Sequence, residues 1–96
     1  MKVYISGKIT DDPSFQRKFN DAEIKLTECK GIEVINPARI GSVLPSLTHD
    51  EYMRISFSLI DMADAVLFLD DWQESCGASQ EMGYSIAKGK EIWLTK

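Results

Sequence analysis

The chain has 96 residues, of which 44% are hydrophobic and 27% charged, and this describes one ordinary globular domain with a single core. The formal net charge is −4 and the 11 Lys and Arg residues are scattered, so a nucleic-acid partner is disfavoured. Because no apolar run approaches membrane-spanning length and no leader pattern precedes the first strand, we expect a single cytoplasmic domain over residues 1–96 and no membrane partner.

The first two strands are short and apolar. Residues 3–6 form a β-branched stretch that Gly7 ends, which is typical of a buried strand followed by a turn. Residues 33–35 form a second strand, which Asn36 and Pro37 end because Pro disfavours helix before it and cannot donate to a ladder.

A helix is predicted over residues 13–30. Asp12 is a suitable N-cap, Pro13 a suitable first helical residue, and Gly31 a stop. Apolar residues recur at helical spacing and mark the face that packs on the sheet: Phe15, Phe19, Ala22 and Leu26.

A second helix is predicted from Thr48 to about Met62, after a loop that contains Gly41 and Pro45. Thr48 and Glu51 have the spacing of a capping box, in which each side chain binds the other's backbone amide. His49 is expected to be no more than the first turn of this helix. One apolar face is marked by Tyr52, Ile55, Leu59 and Ala63.

The last third of the chain adds two strands and a helix. Residues 65–69 are uninterrupted apolar, the pattern of a central parallel strand covered on both faces. A polar loop over 70–77 leads to a helix at 78–88, with Met82 and Ile86 at helical spacing, and a strand at 91–95.

The order of elements is therefore βαβαβαβ. Right-handed crossovers then give an α/β three-layer sandwich of the flavodoxin or Rossmann type, with a four-stranded parallel sheet in the order 2-1-3-4. Cys29 and Cys76 fit no metal or redox spacing, and only one histidine is present. We expect free thiols, no metal and no cofactor.

A ligand site is expected beyond the carboxyl ends of the strands, where the strand order reverses. Three segments meet there and supply the candidate binding residues: Ser6, Gly7 and Lys8; Asp70, Asp71 and Trp72; and Ser75 to Glu81. The start of the third helix favours an anion, to which Ser75 offers a hydroxyl and Gly77 close backbone approach. The helix dipole is expected to lower the pKa of Glu81 and keep it ionised.

Plainer interpretations stay open at each position. Glu81 is also explained as a solvated partner of the helix dipole, Ser75 as a helix cap and Tyr4 as a core residue. Gly7 suits a tight turn, Lys8 a solvated charge, and Asp70 and Asp71 turn formation. Trp72 could stack on a base or cover the edge of the core.

Several stretches together resemble the nucleoside 2-deoxyribosyltransferase superfamily over nearly the whole chain. They are Val3 to Gly7, Tyr52-Met53-Arg54, Ala63 to Val66, and the spaced Ser75, Gly77, Glu81 and Gly83. The nearest branch of known activity is the 2'-deoxynucleoside 5'-phosphate N-hydrolases, beside short uncharacterised bacterial and phage proteins. This resemblance implies a nucleoside or nucleotide ligand and a homodimer or larger homo-oligomer.

The resemblance also implies roles for residues. Glu81 matches the glutamate that attacks C1' of the deoxyribose, and Tyr4 the tyrosine that orients it. Ser75 stands where transferases have an aspartate and the phosphate-binding hydrolases a serine, and a hydroxyl there would donate to phosphate that a carboxylate would repel. The implied substrate is a nucleoside 5'-monophosphate, with Trp72 near the base.

Three features depart from the family pattern. Ser56 stands where the family usually has an aspartate that helps protonate the departing base, and Lys8 where it often has a small turn residue. Characterised members also continue beyond the position of Lys96, so part of the pocket is expected to be built differently. Two functions are therefore expected: an N-glycoside hydrolase or transferase, or a non-catalytic nucleotide-binding or sensing module.

Overall fold

Four parallel strands carry the fold, in a computed structural model that describes residues 1–39 and 46–95. The elements in chain order are β1 (Lys2–Ser6), α1 (Phe15–Thr27), β2 (Glu33–Ile35), α2 (His49–Met62), β3 (Ala65–Phe68), α3 (Cys76–Ala87) and β4 (Glu91–Leu94). Short 3-10 turns follow β2 at Pro37–Arg39 and β3 at Trp72–Glu74. Gly41 and Pro45, expected in the loop before α2, lie outside the described residues.

The sheet has the order β2-β1-β3-β4 with every pairing parallel, which confirms the predicted α/β topology. Val3 pairs with Ala65 and Ser6 with Phe68, so β1 and β3 end level with each other. The segments that follow these two central strands therefore leave the sheet at the same edge.

Side chains alternate between the two faces of the sheet, as the pleat requires. Val3 and Ile5 pack with the buried face of α1, which consists of Phe19, Ala22 and Leu26. Tyr4 points the other way, into the cluster of Ile60, Ala63, Val66 and Phe68 that packs under α2 and α3. Ser6 lies two residues after Tyr4 and so shares the α2 and α3 side.

The start of α1 differs from the prediction. Asp12 does not cap a helix at Pro13; its carboxylate accepts hydrogen bonds from the Ser14 amide at 2.9 Å and the Ser14 hydroxyl at 2.8 Å. That local turn occupies residues 12–14, so Ser14 is the N-cap and the helix begins at Phe15. It also ends early, at Thr27, before the turn that leads to Gly31.

The predicted capping box at the start of α2 is confirmed. Glu51 accepts from the Thr48 amide at 2.9 Å, and Thr48 accepts from the Glu51 amide at 3.2 Å. The predicted buried face of α2 is only partly confirmed: Ala63 is buried, Tyr52, Ile55 and Leu59 are half-buried, and the buried side chains within the helix are Met53, Ser56 and Ile60. In α3, similarly, Ile86 is 62% exposed, and Ala78, Glu81 and Ser85 are buried.

Gly7 marks the point where the end of β1 meets the loop after β3. A Cβ added at Gly7 would lie 2.9 Å from the Leu69 side chain and 3.2 Å from Asp71 Oδ1. The Asp71 carboxylate accepts from the Lys8 amide at 3.1 Å and pairs with Lys18. Gly7 is therefore required for close approach, and it also lines the cavity described below.

We expect Gly7→Ala to destabilise the fold by about 1–3 kcal/mol, because the added methyl overpacks against Leu69. Gly83→Ala is the matched control, since Gly83 lies in α3 and an added Cβ meets nothing within 4 Å. There the change should stabilise by about 0.5–1 kcal/mol through helix propensity. Urea unfolding measures the free energy of unfolding of both variants. If both substitutions change it in the same direction, Gly7 is not required for the close approach to Leu69.

Candidate active site

Glu81 is a carboxylate in the interior of the protein, only 4% exposed. Its Oε1 accepts a hydrogen bond from Ser6 Oγ at 2.5 Å, and its Oε2 accepts one from Tyr4 Oη at 2.8 Å. Both oxygens are thus held by neutral hydroxyls, and no ion pair to Glu81 occurs among residues 1–39 and 46–95. The carboxylate is fixed in direction without a cation to neutralise it.

This arrangement follows from local structure. Tyr4 and Ser6 are two residues apart on β1, so the pleat places both side chains on the face that α3 covers. Ser75 caps α3 by accepting from the Ala78 amide at 3.1 Å, and Glu81 lies about a turn and a half further on. The central strand and the capped helix together aim the carboxylate at the edge of the sheet.

Burial governs the ionisation of this group. Desolvation raises the pKa of the Glu81 carboxyl, and the hydrogen bonds from Ser6 and Tyr4 hold back part of the rise. The expectation that the helix dipole would lower this pKa is therefore wrong in direction. Burial and the charge of Glu81 also raise the pKa of Tyr4 well above its usual range, so Tyr4 is a hydrogen-bond donor at every physiological pH.

Two further hydroxyls, those of Tyr52 and Ser56, approach Glu81 from α2. Both oxygens are buried, and neither makes a hydrogen bond of ordinary geometry to any part of the chain that the structure describes. Burial and, to a lesser extent, the charge of Glu81 raise the pKa of Tyr52, and Ser56 lies close enough to lower the pKa values of Tyr4, Tyr52 and Glu81. Ser56 therefore stands at the centre of the group.

A cavity of about 340 Å³ opens in front of Glu81, within the roughly 300–1,000 Å³ range of small-molecule pockets. It lies between the end of β1 and the first turns of α2 and α3. Its described lining consists of Ile5, Ser6, Gly7, Ile9, Thr10, Phe19, Pro37, Leu47, Thr48, His49, Tyr52, Met53, Ser75, Gly77, Ala78 and Glu81. None of these residues is Lys or Arg.

The structure brings together most of the residues that the sequence nominates. Ser6, Gly7, Ser75, Gly77 and Glu81 line the cavity, and Tyr4 lies behind Glu81. A Cβ at Gly77 would lie 3.4 Å from the sulfur of Met53 and 3.7 Å from the His49 ring. Gly77 thus forms a close contact between the two helix starts.

Three nominated residues lie elsewhere. Lys8 pairs with Glu74 at 3.7 Å, and Asp70 borders a separate cavity beside Lys18, Lys25 and Thr95. Trp72 packs edge-on against Phe68 with 5.7 Å between ring centroids. None of the three belongs to the described lining of the cavity in front of Glu81.

The residues of α2 are the ones that sequence reasoning missed. His49, Tyr52 and Met53 all line the cavity, although His49 was expected only to begin a helix. The available signal was the spacing of Tyr52 and Ser56, which are four residues apart and therefore share a helix face. Two hydroxyls on one face of a helix that packs on an apolar sheet are unusual enough to indicate a site.

Other features bear on the kind of site. Within the described ranges, no group of three His, Cys, Asp or Glu side chains is arranged to hold a metal ion. Cys29 and Cys76 are free and exposed. No helix in residues 1–39 and 46–95 combines the length and apolar character needed to cross a bilayer.

A doubly wound α/β fold with a buried carboxylate at the carboxyl edge of its sheet defines the class of the protein. Residues 1–94 match the family described as Domain of unknown function (DUF4406), and the chain belongs to that family. No curated protein matches it in sequence.

One solved structure with the same fold is a 2-desoxiribosyltransferase from Leishmania mexicana, with a TM-score of 0.72 and 18% sequence identity. The match covers 97% of this chain and 62% of that one, so the chain spans less than two thirds of that protein's length. The fold implied by the superfamily resemblance is thereby confirmed.

Stability should depend on pH through Glu81. Its folded-state pKa exceeds the unfolded value, so the folded protein binds more protons and loses stability as pH rises from the unfolded pKa through the folded one. Glu81→Gln removes that loss. We expect its Tm to exceed the wild-type Tm by several degrees more at about pH 7 than at about pH 4.

Thermal unfolding at the two pH values measures this difference. Glu28→Gln is the matched control, because Glu28 is exposed at the end of α1 and the same charge is removed from solvent. If the two variants respond alike to pH, Glu81 does not ionise against a desolvation cost.

Proposed function

We propose that the protein acts on the N-glycosidic bond of (deoxy)nucleoside 5'-monophosphates, with Glu81 as the nucleophile at C1'. The observation that carries this proposal is the Glu81 carboxylate, buried at a cavity wall, oriented by Tyr4 and Ser6 and unpaired with any cation in the described chain. A structural carboxylate is usually solvated or ion-paired. A nucleophile must instead keep its charge available.

The chemistry follows a two-step course. A Glu81 oxygen forms a bond to C1' while the C1'–N bond breaks, and the electron pair of that bond remains on the base. The resulting glycosyl ester is resolved by water in a hydrolase or by another base in a transferase. Tyr4 and Ser6 hold the carboxylate in line with C1' during the attack.

The 5'-phosphate is proposed to lie at the start of α3. Ser75 Oγ accepts from the Ala78 amide, which leaves the hydroxyl hydrogen available to a phosphate oxygen. The first amides of α3 and the close approach permitted by Gly77 add further donors. Since the described lining contains no Lys or Arg, hydroxyls, amides and helix dipoles are the groups proposed to hold the phosphate.

The alternative is a non-catalytic nucleotide-binding or sensing module. Ser56 favours it, because it stands where the superfamily usually has an aspartate that helps protonate the departing base. Such a module would use the same cavity and the same phosphate position without breaking the glycosidic bond. Binding without turnover distinguishes it.

Incubation with a panel of ribo- and deoxyribonucleoside 5'-monophosphates should release free base, measured by chromatography. We expect Glu81→Gln to lower kcat by at least about 10³-fold, since no carboxylate remains to attack C1'. The wild-type rate should rise with pH above 4.5, the ordinary pKa of Glu, because burial shifts ionisation of Glu81 upward.

The same panel in a thermal-shift titration provides the second readout, since any ligand of the folded state raises Tm with its concentration. Stabilisation without base release would establish the sensing module. If no nucleotide stabilises the protein and none is cleaved, both proposed functions are refuted. If Glu81→Gln and the Glu28→Gln control cleave at equal rates, Glu81 is not the nucleophile.

Assembly and location belong to the same proposal. Four large apolar side chains of the described chain are more than half exposed on helices and the last strand: Ile24, Met62, Ile86 and Leu94. We propose that a homodimer or larger homo-oligomer, working in the cytoplasm on its small-molecule substrate, covers part of this surface. Sedimentation equilibrium should give a mass of at least twice 10.8 kDa, and a monomer at micromolar concentration would contradict it.

A further inference from the structure

The buried hydroxyls of Tyr52 and Ser56 make no hydrogen bond of ordinary geometry to residues 1–39 and 46–95, and the proposed attack by Glu81 leaves this feature unexplained. A buried hydroxyl without a hydrogen bond is costly, and native proteins keep few of them. Here two lie one helical turn apart on the same face of α2, beside the carboxylate. Tyr52 is also part of the cavity wall, and Ser56 is fully buried behind it.

The kind of partner that would satisfy these hydroxyls follows from their neighbourhood. Glu81 already accepts from Tyr4 and Ser6, so both of its oxygens are engaged on the β1 side. Burial and the charge of Glu81 raise the pKa of Tyr52, so its phenol keeps its hydrogen and acts as a donor. The Tyr52 phenol is therefore a buried donor beside Glu81, carried by a residue of the cavity wall and without an acceptor of ordinary geometry in the described chain.

Charge development in the proposed reaction selects that acceptor. The hydroxyl groups of the sugar stay neutral throughout, whereas the base nitrogen gains the electron pair of the breaking C1'–N bond. At the same time Glu81 loses its negative charge to the new C1'–O bond, so its repulsion of a negative Tyr52 oxygen disappears. Tyr52 therefore becomes a stronger acid as the C1'–N bond breaks, which is when negative charge develops on the base nitrogen.

We propose that Tyr52 donates its phenolic hydrogen to the departing base. Ser56 positions Tyr52 and donates a hydrogen bond to its oxygen after the proton has left. This inference rests on the proposed function. It assigns leaving-group activation to a residue of α2, one turn before the serine that stands where the superfamily usually has an aspartate.

The proton and electron pairs balance over the cycle. Tyr52 Oη passes its proton to the base nitrogen as the C1'–N pair moves there, and the Ser56 hydroxyl donates to the phenolate that results. Water then attacks C1' of the glycosyl ester, gives one proton to Tyr52 and leaves its oxygen on the sugar. Glu81 returns as a carboxylate and Tyr52 as a phenol.

Two substrates separate this role from a structural one. The first is a deoxynucleoside 5'-monophosphate that the wild type cleaves, and the second is the 4-nitrophenyl glycoside of 2-deoxyribose 5-phosphate, whose leaving group departs as a stable anion. We expect Tyr52→Phe to lower kcat on the nucleotide by about 10²–10⁴-fold, the usual contribution of a general acid, with KM little changed. On the nitrophenyl glycoside, kcat should be nearly unchanged.

Matched variants complete the experiment. Tyr84→Phe removes a phenol that donates to Asp61 at 2.6 Å, outside the cavity, and should leave both rates unchanged. Ser56→Ala should lower kcat on the nucleotide less than Tyr52→Phe does, and it should leave kcat on the nitrophenyl glycoside unchanged. Because the Tyr52 hydroxyl makes no hydrogen bond of ordinary geometry to the described part of the chain, Tyr52→Phe should not lower Tm.

The outcomes distinguish the two levels of the proposal. Equal loss on both substrates would make Tyr52 a structural residue, and no loss on either would remove it from the reaction. Cleavage of the nitrophenyl glycoside but of no nucleotide by the wild type would support Glu81 and overturn the role of Tyr52. If the wild type cleaves neither, the proposed function fails and this inference fails with it.

Discussion

The burial of the Glu81 carboxylate is the constraint on which the rest of the molecule depends. A carboxylate taken out of water needs donors, and here these are hydroxyls on the central strand β1 at 2.5 and 2.8 Å. Those bonds hold only if β1 and α3 keep one relative position. The cap at Ser75 fixes where α3 begins, and the absence of a side chain at Gly7 lets the loops after β1 and β3 meet at the mouth of the cavity.

The same constraint explains an unusual distribution of apolar surface. The buried face of α3 consists of Ala78, Glu81 and Ser85, and that of α2 has Ser56 between Met53 and Ile60, so small or polar side chains face the sheet around Glu81. Small side chains let the two helices approach each other and β1 closely enough for the hydroxyls to surround Glu81. Larger apolar residues of these helices are displaced outward, and Met62 and Ile86 are more than half exposed.

This displacement also decides what the sequence could and could not predict. The strand order, the capping box and the residues of β1 and α3 that line the cavity follow from local patterns that obey ordinary rules. Apolar periodicity predicted the buried faces of α2 and α3 only in part, because it assumes that apolar side chains point inward. The direction of the pKa shift of Glu81 was missed for a related reason, since a helix position indicates the dipole but not the burial that outweighs it.

The choice of neutral donors has a chemical consequence. A Lys or Arg beside Glu81 would lower its pKa and favour its ionisation, but it would also neutralise the charge that the proposed attack on C1' uses. Hydroxyls orient the carboxylate without neutralising its charge, and their hydrogen bonds offset only part of the rise in pKa that burial causes. The arrangement is thus a compromise between the fraction of Glu81 that is ionised and the reactivity of that fraction. The Tyr52 phenol beside Glu81 fits the same compromise, because a neutral donor could assist the proposed leaving group without forming an ion pair with Glu81 before the substrate arrives.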